Sequence, residues 1–62
     1  MEKPKVQLTG QNGNVFNLIG ICKRALLENG QGKESVEMAN KCVQSKSYEE
    51  ALAIMAEYCE VS

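Results

Sequence analysis

Gly10, Gln11, Asn12, Gly13 and Asn14 form the stretch of this chain whose residue types and spacing could do chemistry. A glycine-bearing turn that enters a helix presents backbone N–H groups and the positive end of the helix dipole to an anion. Lys23, Arg24 and Lys33 follow downstream, so the chemistry on offer is weak binding of phosphate or of a nucleic-acid backbone. The spacing is not that of a nucleotide-hydrolase phosphate loop, because no Lys-Ser or Lys-Thr pair follows the glycines. Turn chemistry accounts for the same residues without any ligand. Asn12-Gly13 accepts positive φ readily, and Asn14 is a good helix N-cap.

Catalysis has fewer footholds. The chain contains no histidine, aspartate or tryptophan, so neither a Ser-His nor a Cys-His nucleophile pair can be assembled. Of the cysteines Cys22, Cys42 and Cys59, Cys22 has Lys23 and Cys42 has Lys41 beside it in sequence. A residue next in sequence points about 100° away on a helix, so neither lysine faces its cysteine. A thiolate zinc site would need a fourth ligand, and there is no CxxC pair to begin one. No catalytic residue, cofactor or metal is therefore expected. An odd number of cysteines, each within an apolar helical pattern, reads as buried free thiols in a reducing, cytoplasmic setting rather than as a disulfide framework.

The elements that must position the loop are mostly helices. Lys5 to Thr9 alternates polar and apolar residues and reads as a short strand with Val6 and Leu8 on one side. A lone strand of that length needs a partner, either Val61 near the C-terminus or a second molecule. Residues 14–29 read as the central helix, apolar over most of its circumference apart from a stripe of Asn17, Gly20, Arg24 and Glu28. Such a helix is expected to be covered from several sides. Asn29-Gly30 ends it with a residue suited to the left-handed C′ position. A second helix is expected over about 34–45, with an apolar face of Val36, Met38, Ala39, Cys42 and Val43. A third runs over about 48–59, opened by the capping box of Ser47 and Glu50. The fold class is mainly α: a short N-terminal strand followed by a three-helix bundle, in one domain spanning 1–62.

With 44% apolar and 24% charged residues the chain is too apolar for a disordered class, and its apolar runs are too short for a membrane span. Charge is uneven. Residues 1–33 carry five cations against two acids, and residues 34–62 carry two cations against six acids. Such asymmetry can steer a charged partner or self-association. On the third helix, Ile54 and Tyr58 fall toward the edge beside Ala51, and an apolar strip with tyrosine suits a partner surface.

From Val6 to Gly20 the chain resembles a set of small uncharacterised bacterial and phage-associated proteins. These open with a short apolar strand, a G-x-[DN]-G-N-x-F segment and a helix that ends in Ala-Leu, as in Ala25-Leu26 here. Where they tend to carry aspartate in the turn, this chain has Asn12, which removes a negative charge. The resemblance implies a bacterial or mobile-element origin and no assigned activity. Gly10 and Gly13 are also similar in spacing to the GxxG loop of RNA-binding KH domains, but the residues between them are uncharged and the loop follows a strand. The leading expectation is a non-enzymatic protein-interaction module, binding a protein partner or a second copy through Ala51, Ile54 and Tyr58. The alternative is nucleic-acid or phosphate binding by Gly10–Asn14 with Lys23, Arg24 and Lys33. An acidic pI near 5.3 weighs against the alternative.

Overall fold

The computed structural model describes residues 3–8, 10 and 13–62, within which the order is β1 (Lys5–Val6), α1 (Val15–Glu28), α2 (Gly32–Gln44), α3 (Tyr48–Tyr58) and β2 (Glu60–Val61). The mainly α reading holds, with three helices and a short N-terminal strand. That strand pairs with the C-terminus of its own chain. β1 and β2 run parallel, with Lys5 opposite Glu60 and Val6 opposite Val61. Flanking bonds extend the pairing: Leu8 N–H donates to the Ser62 carbonyl at 2.7 Å and Glu60 N–H to the Pro4 carbonyl at 2.8 Å. The two ends of the chain thereby clamp each other, and Val6 is buried while Leu8 packs half-buried against the core.

Caps set the helix ends as the sequence foretells. Asn14 is the N-cap of α1, its Oδ1 accepting from Phe16 N–H at 2.9 Å. At the other end Gly30 has φ of +75°, and Gln31 N–H reaches back to the Leu26 carbonyl at 2.8 Å. Together with the bond from Gly30 N–H to Leu27 this is a Schellman motif. Because the chain is turned so tightly there, α2 begins at Gly32, two residues earlier than expected, with Ser35 N–H already bonded to the Gln31 carbonyl. At α3, Ser47 Oγ accepts from Glu50 N–H at 3.0 Å, the serine half of the capping box.

The acidic C-terminal turn of α3, a local mismatch with its dipole, meets a cation from the far end of the chain. Lys3 Nζ donates to the Ala56 carbonyl at 3.1 Å, and Lys5 faces Glu60 across the strand pair. In the turn before α1 the positive φ falls on Gly10, at +85°, and not on Gly13; Asn12 lies outside the described residues.

The core is rich in sulfur: Cys22, Met38, Cys42, Met55 and Cys59 lie among Val6, Leu18, Ile19, Leu26 and Ala51. Two expectations about packing change. α1 is not a post covered on most sides, since Phe16 and Leu27 stand in solvent. The element that touches both other helices extensively is α2, which lies between α1 and α3. The inward line of α2 is Ser35, Met38 and Cys42, leaving Val36 and Val43 outside. Ser35 tolerates full burial because its hydroxyl donates to the Gly32 carbonyl at 2.6 Å, so no polar atom is stranded.

Candidate functional site

The cations expected to serve the anion loop do not gather at its described residues. Gln11 and Asn12 lie outside the described residues, and Asn14 spends its side chain on capping Phe16 N–H. Lys23 and Arg24 follow Asn14 by nine and ten residues, which on a helix is roughly 14 Å at 1.5 Å per residue. Arg24 is paired with Glu28 at 3.7 Å. Lys33 lies in the first turn of α2, beside the opposite end of α1 from the loop. Gly13 is the loop residue that meets the bundle: a Cβ placed there would lie 3.9 Å from the Tyr48 hydroxyl.

The expected partner strip on α3 is also rearranged. Ala51 is only 1% exposed and belongs to the core, so it cannot line a surface. Ile54 is half-buried. Tyr58, also half-buried, is committed to α2: its hydroxyl donates to Glu37 Oε1 at 2.6 Å, and Lys41 Nζ sits 5.3 Å from its ring centre. Lys41 also pairs with Glu37 at 3.6 Å. The Tyr58 hydroxyl holds the Glu37 carboxyl below its ordinary pKa, with help from Lys41, and Tyr58 itself is raised by the same bond. These three residues seal the seam between α2 and α3.

The thiols are chemically quiet. Cys22, Cys42 and Cys59 are free and buried. Burial, followed by the neighbouring Cys59 and then Cys42, pushes the Cys22 thiol up to about 12, and burial raises the other two as well. Thiols so disfavoured from ionising are poor nucleophiles and poor metal ligands at neutral pH. Among the described residues no cluster of histidine, cysteine and carboxylate side chains could hold a metal ion. No helix of the described residues is long and apolar enough to cross a membrane.

What the structure does assemble is an apolar face on the outside of the α1–α2 pair. Phe16, Gly20, Lys23 and Leu27 recur at helical spacing along α1, and Lys33, Val36, Asn40 and Val43 do so along α2. Phe16 is 70% exposed and Val43 67%, and Leu27 and Val36 are each more than half exposed. The two helices run antiparallel, which sets Phe16 near Val43 at one end and Leu27 near Gly32 at the other. At the Phe16 end the face dips into an open cavity of about 270 Å³. Phe16, Val43 and Tyr48 form its walls, Ile19 and Cys42 lie beneath, and Lys46 is the one charged lining residue among the described residues.

Sequence reasoning missed this face although the signal was present. α1 carries more apolar residues than a single buried stripe requires, and the surplus stays exposed at Phe16 and Leu27. Comparison with protein-family models, with curated proteins and with solved structures finds no match for the chain.

Proposed function

We propose that the chain is a small non-enzymatic protein-interaction module whose contact surface is the outer face of α1 and α2. The observation that supports this reading is the cluster of Phe16, Val43, Leu27 and Val36, large apolar side chains more than half exposed on one side of a small domain. Exposed apolar side chains scattered singly are ordinary, whereas large ones gathered at both ends of one face, with a concavity at one end, mark a place where another surface fits. The rest of the molecule agrees. Its thiols are withdrawn into the core, and its polar cluster at Tyr58 serves the fold. Three unpaired thiols suit the reducing cytoplasm. The strand–turn–helix opening, which resembles small bacterial and phage-associated proteins, suits a bacterial or mobile-element origin.

The test places a photo-crosslinking phenylalanine analogue at position 16 in one variant and at exposed position 53, on the outer side of α3, in another. Position 16 is expected to give discrete protein adducts that Val43→Asp removes, while position 53 gives none of the same size. Identical adducts from both positions, or adducts indifferent to Val43→Asp, would sink the reading.

A further inference from the structure

The two stripes that form the outer α1–α2 face contain no acidic residue. Their charged members are Lys23 and Lys33, and Lys46 closes the cavity at the Phe16 end. Among the described residues none of these three lysines is within ion-pair distance of a carboxylate, as Arg24 and Lys41 are, although Lys33 acts on Glu37 from farther off and helps hold its carboxyl low. The chain as a whole carries -1, so the remainder of the molecule carries -4 once these three cations are set aside. The face therefore pairs apolar surface with positive charge that makes no close ion pair, at both ends and near its middle, with Lys33 alone partly offset by Glu37.

We infer, resting on the interaction-module reading, that the occupant of this face is an acidic amphipathic helix of another protein. Its apolar stripe lies in the furrow between α1 and α2, and one large side chain enters the cavity beside Phe16, Val43 and Tyr48. Its carboxylates meet Lys23, Lys33 and Lys46. The dimensions suit such a ligand. Phe16 and Leu27 are eleven residues apart on α1, so the face is about 16 Å long at 1.5 Å per residue, the length of three helical turns. An apolar helix face laid in a groove presents anchors at i, i+3 or i+4, and i+7, and one further anchor at i+11 spans that distance. The cavity of about 270 Å³ is sized for one aromatic or leucine side chain rather than for a free cofactor.

Charge also selects against the other occupants. A second copy docked by a two-fold axis through the same face would set three lysines against three lysines, which costs rather than gains. An anionic bilayer would attract the lysines but repel the acidic remainder, and a flat lipid surface does not fill a concave cavity.

The experiment is an amide NMR titration of the whole chain with two synthetic helical peptides of about twelve residues. They share one stripe of leucine and phenylalanine and differ only in having glutamate or lysine at the flanking positions. The glutamate peptide is expected to shift the amides of Phe16, Gly20, Lys23, Leu27, Val36 and Val43 together, with affinity that falls as salt is raised. The lysine peptide is expected to leave them in place, and Lys23→Glu with Lys46→Glu to weaken the glutamate peptide by roughly tenfold or more. Core amides such as those of Met38 and Met55 report that each variant is folded.

Equal binding of both peptides, or of neither, overturns the acidic partner. So does a concentration-dependent shift of the same amides without peptide, which assigns the face to a second copy. Binding to phosphatidylcholine–phosphatidylserine vesicles with no peptide binding assigns it to a membrane. If position 16 still crosslinks while the glutamate peptide fails, the module reading survives and the partner chemistry alone falls.

Discussion

The two flanks of α2 solve the same problem in opposite ways. Toward α3, Glu37 and Lys41 close on Tyr58, so polar groups that water would have satisfied are satisfied by one another. Toward α1, Val36 and Val43 gain nothing from water and yet remain in it, beside Leu27 and Phe16. A polar cluster at an exposed seam contributes little energy but fixes how two helices sit. An apolar flank left open retains its hydrophobic driving force for another surface. The difference places the finished joint of this molecule at α2–α3 and the unfinished one at α1–α2.

The largest effect belongs to the residue beneath both flanks. Met38 is fully buried on the inward line of α2, so Met38→Ala is expected to cost about 2–5 kcal/mol in urea unfolding. Both flanks should be lost in a single transition, because they share that support. A biphasic curve, or an unchanged midpoint, would mean that they are stabilised separately.

Alkaline pH should then distinguish the core from the open flank. Cys22 is raised from an ordinary 9.0 to about 12 by burial, then by Cys59 and Cys42. Its contribution is complete below pH 9.0 and is lost as pH rises toward about 12, because the unfolded chain releases the proton first. Within that window stability should fall by up to about 1.4 kcal/mol per pH unit for this thiol. Lys41 and Tyr58, both raised at the closed seam, add to the same alkaline loss. Thermal melts from pH 7 to 11 with thiol absorbance recorded in parallel would check it. Thiolate appearing before unfolding would show that the core is wetter than its burial implies.

What the sequence made legible was local. Asn14, Gly30 and Ser47 announce helix ends because one side chain or one missing Cβ decides each of them. The bundle followed from those punctuation marks and from helical periodicity. The facing of each helix was harder to read, because apolar residues outnumber the places available inside so small a domain. Val36, Met38, Ala39, Cys42 and Val43 form a broad arc on α2, and only contact with α1 and α3 decides that Met38 and Cys42 go in. Ala51 reads as surface by the same ambiguity, and Ser35 cannot be recognised as core without its bond to the Gly32 carbonyl. The cations grouped with the anion loop are separated by distance: Lys23 and Arg24 lie well along α1 and Lys33 in the first turn of α2. The pairing of β1 with β2 needed the bundle to bring the two ends together.

A smaller effect tests the closed seam directly. Tyr58→Phe removes the hydroxyl donated to Glu37 and leaves the ring near Lys41, so a loss of about 1 kcal/mol is expected in thermal or urea unfolding. The Glu37 carboxyl should also titrate closer to its ordinary value, since that hydroxyl is the main cause holding it low. Carbon-detected NMR titration reads the change at Glu37 alone. An unchanged Glu37 midpoint would show that Lys41 holds the carboxyl without the tyrosine.

The smallest effect on stability is the most informative for function. Phe16 and Leu18 lie two residues apart on α1, yet Phe16 is 70% exposed and Leu18 is buried. If the α1–α2 flank is open, Phe16→Ser should change unfolding by no more than about 0.5 kcal/mol, as surface substitutions usually do. Leu18→Ser, which strands a hydroxyl in the core, should cost several times as much. A Phe16→Ser loss comparable to that of Leu18→Ser would make Phe16 a structural residue and remove the keystone of the open face. The expected result is the reverse: a protein that folds as before, with shallower walls to its cavity and no adducts from a crosslinker moved to position 43. A residue that contributes almost nothing to folding and nearly everything to contact is what separates an interface from a core.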